Sequence, residues 1–274
     1  MKDIRISMAQ MPSVPGDIDG NLERMIHLTE TAEGSDIICF PELSLTGYRV
    51  PGSELHAVGA DDGIIKKISA GAVRCGIAAA FGFAEKGNDG IYISHGLADI
   101  DGTVSVHRKT HLGKFEKECF TPGDTFSVIS TGKAAIGFQI CGESHFPEIS
   151  TCLTYRGAEL MLMPFASPLD AGRRVDTWKK YLPARAYDNG VFAAACNAVK
   201  ADGTGGGAIV IDPKGNVIAE DRTGGASILT ADLKGNMMNR VPVNERKSMR
   251  EIDFFGSRRP ELYHDVTRPP VRRT

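Results

Sequence analysis

Hydrophobic positions along the chain change their period several times, and each change marks an element. Apolar and polar residues alternate over Asp3–Gln10, which predicts a strand. Asp17 then precedes Ile18, Leu22, Met25 and Ile26, a one-sided helical stripe with a capping carboxylate in front of it. Asp36–Phe40 reads as a short apolar strand that stops at Pro41. Ile64, Ile65, Ile68 and Ala72 mark a second helix. Gly76–Phe83 and Ile91–Ile100 follow as strands, and Asp101-Gly102 is a hairpin turn into Val104–Lys109.

The second half repeats this order loosely. Ala134–Ile140 is a strand and Pro147–Arg156 a helix. Glu159–Met163 is a strand, Trp178–Asn189 a helix and Val191–Ala198 a strand. Ile209–Ile211 and Val217–Ala219 flank the turn Asp212-Pro213-Lys214-Gly215, and Ala226–Ala231 closes the regular part. Strand, helix, strand, helix and then paired strands, twice over, predict an α/β layered domain with helices outside buried sheet.

Composition changes this picture little. The chain has 274 residues, 42% hydrophobic and 24% charged, with 32 Lys plus Arg against 34 Asp plus Glu. A formal net charge of −2 argues against nucleic acid or an anionic membrane as main partner. The longest apolar stretches, such as Gly190–Ala198, fall far short of the ~18–20 residues a bilayer needs. Met1–Arg5 enters a strand directly, without a signal-peptide core, so a cytoplasmic location is expected. The cysteines Cys39, Cys75, Cys119, Cys141, Cys152 and Cys196 form no C-x-x-C pair. They are expected as reduced thiols, all but Cys141 packed in the core.

Sites on α/β sheets gather beyond the carboxyl ends of strands, so the residues after each apolar run are the candidates. After Asp36–Phe40 comes Glu42, whose burial would raise its pKa and suit a general base, or which is simply a salt-bridged strand-end acid. After Ala134–Ile140 comes Cys141, on a turn whose N–H groups and following helix are expected to lower a thiol pKa and bind an oxyanion. Gly142 beside it allows close approach. On Val104–Lys109 and beyond, His107, Lys109 and His111 share one face of an extended segment. A lysine in a dry site can offset negative charge, and a solvated basic stretch is the alternative.

Together these segments resemble the nitrilase superfamily, the carbon–nitrogen hydrolases. The likeness rests on Phe40-Pro41-Glu42-Leu43 with Thr46-Gly47-Tyr48, on Arg108-Lys109-Thr110-His111-Leu112, and on Ile140-Cys141-Gly142-Glu143 with Phe146-Pro147-Glu148. Phe120-Thr121-Pro122-Gly123-Asp124, Arg185-Ala186-Tyr187-Asp188-Asn189 and Arg258-Arg259-Pro260-Glu261-Leu262-Tyr263 extend it over almost the whole chain. The resemblance implies a four-layer α-β-β-α sandwich as one domain over residues 1–255. It implies Glu42 as general base, Cys141 as nucleophile and Lys109 as electrostatic stabiliser. It adds a second glutamate, Glu116 or in another register Glu118, to orient Lys109 or the substrate. Gly142, Glu143, His145, Phe146 and Tyr48 are implied as substrate contacts. No metal and no organic cofactor are implied.

The implied substrate is a small linear amide or an N-carbamoyl compound, with a nitrile or a non-catalytic binding role as alternatives. The residues after Cys141, Gly142-Glu143-Ser144-His145, are smaller and more polar than the family commonly carries there, which bears on specificity. His145, four residues after Cys141, offers a Cys–His arrangement that would leave Glu42 and Lys109 unexplained. Pocket walls are expected from Ser167–Val175 and Asn197–Gly207. Arg173 and Arg174 either grip a substrate carboxylate or form a surface pair at a helix start. The family also implies a homodimer or larger assembly. The tail 256–274, with five Arg and three Pro, is expected to be extended and docked at that interface.

Overall fold

The computed structural model describes residues 1–200, 202–238 and 258–268. Among them the alternating segments form twelve strands in two six-stranded sheets. The first half supplies β1 (Ile4–Gln10), β2 (Ile37–Cys39), β3 (Ala78–Lys86), β4 (Ile91–Ala98) and β5 (Val104–Arg108). The second supplies β6 (Val128–Ser130), β7 (Ala135–Phe138), β8 (Leu160–Phe165), β9 (Phe192–Asn197), β10 (Ala208–Ile211) and β11 (Val217–Asp221). The last strand, β12 (Ser227–Leu233), returns to the first sheet and pairs antiparallel with β1. Each sheet has a parallel centre, β1-β2-β3 and β7-β8-β9, continued by antiparallel strands.

The period-2 pattern explains the layering. Ile4, Ile6 and Met8 of β1 pack against Ile136, Phe138, Leu160 and Leu162 of the opposite sheet, forming the inter-sheet core. On the outer face of the first sheet, Ala9 and Phe81 meet α1 (Ile18–Thr31) and α2 (Gly63–Cys75). On the outer face of the second, Met161, Met163 and Phe165 meet α3 (Pro147–Tyr155), α4 (Ala171–Trp178) and α5 (Leu182–Asn189). The result is the expected α-β-β-α sandwich. Helix starts follow their caps: the Asp17 carboxylate accepts from Gly20 N–H, and Asp62 accepts from Ile64 N–H.

Three local features depart from the sequence pattern. The helix expected over Trp178–Asn189 is two helices, because Pro183 lies in the first turn of α5, where its missing N–H costs nothing. The preceding helix, α4, escaped notice since its inward stripe of Ala171, Arg174, Val175 and Trp178 includes a charged residue. Cys152 is exposed on α3, and Cys75 and Cys119 are partly exposed, so only Cys39 and Cys196 are packed core thiols. The domain boundary at 255 lies outside the described residues. Within the tail, residues 258–268 form two short 3-10 turns with every residue exposed.

Candidate active site

Two strand ends face one another between the sheets. After β2 the chain turns at Pro41–Tyr48, with Leu43 at φ 51°. This turn is pinned to β3: Leu45 N–H donates to the Gly82 carbonyl at 2.8 Å, and Gly82 N–H donates to Ser44 Oγ at 3.0 Å. A Cβ on Gly82 would lie 2.3 Å from Leu43 N, so only glycine allows this contact. The turn holds Glu42, 1% exposed, at the sheet end. After β7, Cys141 itself adopts φ 51°. A left-handed conformation is uncommon for a non-glycine residue, and its occurrence at both strand ends marks them as constrained.

Lys109 follows β5 and is 2% exposed. Its Nζ donates to Glu42 Oε1 at 2.6 Å and to Glu116 Oε1 at 2.9 Å. Tyr48 hydroxyl donates to the same Glu116 oxygen at 2.9 Å, and Gly113 N–H donates to Glu116 Oε2 at 2.6 Å. The other Glu42 oxygen accepts from Ala166 N–H at 3.2 Å. Burial pushes the Glu42 carboxyl up and the charge of Glu116 adds to this, against the pull of Lys109. Burial works against the Lys109 ammonium too, but Glu42, Cys141 and Glu116 outweigh it and hold its pKa well above the ordinary lysine value.

Cys141 completes the cluster. Its thiol lies within electrostatic reach of the Glu42 carboxylate and of Lys109. Burial, and then the negative charge of Glu42, push the thiol up to about 12. This reverses the expectation of a depressed thiol: the resting sulfur is held as the thiol. Lys109 and the Ala166 N–H pull the other way without prevailing.

Glu143 binds the two sides together. It is fully buried, and its Oε1 accepts from Thr110 N–H at 2.7 Å and from Thr110 Oγ1 at 2.6 Å. Its Oε2 accepts from Ile140 N–H at 2.7 Å and lies 3.6 Å from His107 Nε2. Burial works against its ionised form, but His107 and Thr110 bring the pKa below the ordinary carboxylate value. One carboxylate thus grips the residue after Lys109 and the residue before Cys141.

Two cavities flank the cluster. One, of about 270 Å³, is walled by Glu42, Tyr48, Ala166, Ser167 and the segments Pro12–Pro15 and Ala198–Lys200. The other, of about 740 Å³, is lined by Gly142, His145 and Phe146 on one side and by Thr110–Gly113 on another.

A family model described as carbon-nitrogen hydrolase matches residues 5–242. The chain belongs to the carbon–nitrogen hydrolase family. It is similar to an (R)-stereoselective amidase of a Pseudomonas species, 30% identical over 275 residues that cover 97% of this chain and 96% of the relative. It is also similar to an aliphatic nitrilase of Sinorhizobium fredii, 25% identical over 268 residues, covering 85% and 87%. Among solved structures, an amidase from Nesterenkonia sp. aligns with a TM-score of 0.80 at 28% identity, covering 96% of each chain. A variant of that amidase, with a TM-score of 0.79 at 27% identity and the same coverage, shows covalent addition of the acetamide moiety of fluoroacetamide at its active-site cysteine.

Most expected site residues of this carbon–nitrogen hydrolase converge. Glu42, Lys109, Cys141 and Glu116 form one cluster, whereas Glu118 is exposed. Tyr48, Gly142, His145 and Phe146 line the two cavities. Glu143 is the exception: expected at the substrate, it is turned into the protein body as a brace. His107 and Lys109 are buried, but His111 is exposed, because β5 ends at Arg108 and the chain leaves the sheet. His145 stacks on Tyr181 with ring centroids 4.4 Å apart, and the groups that set the thiol's pKa are Glu42, Lys109, Glu116 and Ala166 instead. Sequence reading missed Ala166, whose contribution is a backbone N–H at the end of β8, and Thr110, whose partner is decided by packing.

Proposed function

We propose that this hydrolase cleaves a small linear amide, or an N-carbamoyl compound, through a thioester on Cys141. The observation that carries the reading is Lys109 Nζ, 2.6 Å from Glu42 Oε1, with the Cys141 thiol within electrostatic reach of both. Glu42 accepts the thiol proton as the sulfur attacks the amide carbon. This transfer removes the negative charge that held the thiol pKa high and leaves the nascent thiolate beside the Lys109 ammonium. Lys109 and the Gly142 N–H stabilise the oxyanion of the tetrahedral intermediate. Protonated Glu42 then gives its proton to the leaving nitrogen; ammonia or an amine departs and the thioester remains. Glu42 next takes a proton from water, the hydroxide attacks the thioester, and the acid leaves with the thiol restored.

Glu116 orients Lys109 in this scheme, and Tyr48, Gly142, His145 and Phe146 meet the substrate. A nitrile is the second reading, favoured by similarity to an aliphatic nitrilase at 25% identity. Ammonia release across amides, N-carbamoyl compounds and nitriles separates the two. Preferential amide turnover with an acyl adduct on Cys141 supports the proposal, and turnover of nitriles alone overturns it. Absence of turnover in every class would favour a non-catalytic binding protein.

The proposal extends to a cytoplasmic homodimer or larger assembly with the tail 256–274 at its interface. The exposed Leu262 and Val266 of that tail suit burial against a second copy. Cell fractionation tests the location. Light scattering of the full chain and of a chain shortened at 255 tests the assembly, and an unchanged mass would overturn the role of the tail.

A further inference from the structure

We infer that Arg185 is a positioning residue for the nucleophile: from α5 it clamps the turn that carries Cys141 and Gly142. The inference rests on the proposed thioester reading and names a residue on which that chemistry depends. Arg185-Ala186-Tyr187-Asp188-Asn189 belongs to the family likeness, yet none of these residues lines either cavity beside the catalytic cluster. α5 turns Leu182, Ala186 and Asn189 inward, and Arg185 lies at the edge of that stripe. Asn189 Nδ2 donates to the Arg185 carbonyl at 2.9 Å, which holds the helix backbone under the guanidinium.

The guanidinium is half-buried and forks onto two consecutive carbonyls: Nε donates to Ser144 and Nη2 to His145, both at 3.2 Å. Among the described residues its hydrogen bonds go to these backbone oxygens and to no carboxylate. Burial lowers its pKa, and the charge of Asp188 offsets this only in part. A planar fork of donors spans successive carbonyls in a way that the single point of an ammonium cannot. Tyr181, four residues earlier, reinforces the grip. Its ring lies 5.9 Å from the guanidinium carbon and stacks on His145, and its hydroxyl lies 3.3 Å from Ser144 Oγ.

The grip matters because of what that turn carries. Cys141 stands at φ 51°, a conformation that a residue with a Cβ keeps only where its surroundings impose it. Ser144 Oγ donates to the Cys141 carbonyl at 2.7 Å. Arg185 therefore holds Ser144 and His145 by their backbones, and Ser144 holds Cys141 by its carbonyl. Glu143 fixes the turn from the other end, accepting from Ile140 N–H at 2.7 Å. With the Arg185 end released, the Cys141 backbone is free to relax, and the sulfur and the Gly142 N–H move relative to Glu42 and Lys109. Arg185 acts through the turn and touches none of the reacting atoms.

The test compares wild type with Arg185→Met, which keeps the stem and loses the donors, and with Arg185→Lys, which keeps the charge and loses the fork. With a small amide that wild type hydrolyses, Arg185→Met should lose kcat on the order of 10- to 100-fold while KM stays within about threefold. Arg185→Lys should fall between the two. A wild-type kcat in Arg185→Met, or a loss confined to KM, overturns the inference. A second readout needs no turnover: the rate at which iodoacetamide alkylates each thiol, followed by peptide mass spectrometry. Both variants should react more slowly at Cys141, with the buried Cys39 and Cys196 as protected as in wild type. An unchanged rate at Cys141 sinks the clamp, and so does labelling of Cys39 and Cys196 in both variants, which would assign Arg185 to general stability. If wild type cleaves no amide, the amidase reading fails, and slowing at Cys141 alone still supports the clamp.

Discussion

The first sheet delivers Glu42, Lys109 and Glu116, three ionisable side chains buried and bonded to one another. The second delivers Cys141, a half-buried residue, and on its outer face Arg174, which bonds Ser167 but leaves its Nε without a partner. Both sheets place their residue on a tight turn after a parallel strand, and φ is 51° at Leu43 in one turn and at Cys141 in the other. They differ in how much of their bonding capacity is used. On the acid side every charge already has a partner, so proton affinities are set before a substrate arrives. On the thiol side the groups are left incomplete, as expected where a substrate must supply the remaining contacts. The lesson is a division of labour between a preorganised charge network and an open nucleophile.

Breaking the open side has the largest expected effect. Cys141→Ala should lower ammonia release by about 10⁴-fold or more. Its circular dichroism and melting should stay close to wild type, because the residue is not fully packed. Breaking the closed side is expected to cost somewhat less: Lys109→Met and Glu42→Gln should each lower kcat/KM by about 10²- to 10⁴-fold. Glu42→Gln also sharpens the comparison. It removes the negative charge that, after burial, raises the Cys141 thiol, so the thiolate absorbance should titrate below about 12 even as turnover falls. A thiol that titrates unchanged would refute the electrostatic account. In the wild type, Glu42 must be ionised to accept the thiol proton, and its pKa is raised. Activity should therefore fall on acidification through a midpoint above the ordinary 4.5.

The brace between the two sides comes next. Glu143→Gln should lower kcat by up to about 10²-fold with little change in KM, since it shifts Lys109 against Cys141 without touching substrate. Its stability effect should follow the sign of its pKa. The folded-state value is lowered, so its contribution is present above the unfolded carboxylate pKa and is lost as pH falls through the folded one. Wild type and Glu143→Gln should therefore melt further apart at neutral pH than in acid. The smallest effect is expected at Cys152. Cys152→Ser should leave turnover unchanged and shift stability by no more than about 0.5 kcal/mol, while removing one exposed site of iodoacetamide labelling.

Much of the sandwich was legible in the chain because it depends on local periodicity. Alternation in β1 and the stripes of α1 and α2 each report which face is buried, whatever packs there. The misreadings occurred where a local rule was overridden. An arginine on the inner stripe hid α4, and a proline inside an apparently continuous pattern marked a new helix start. At the site, Glu42, Lys109, Glu116 and Cys141 stood out because acid, amine and thiol at strand ends resemble a known family. Glu143 was read as a substrate contact from its nearness to Cys141 in sequence. Its direction depends on Thr110 and Ile140, which meet it only in the folded protein.

By itself the sequence determined the layer order, the strand ends that bear chemistry and the family. These follow from the period of apolar residues and from residue types at spacings the chain carries openly. Tertiary structure alone decided the protonation of the thiol, the bracing role of Glu143 and the unpartnered Nε of Arg174. Each of these depends on burial and on distances between segments far apart in the chain: a pKa responds to every charge within reach, and a buried donor is satisfied or stranded only once its neighbours are in place.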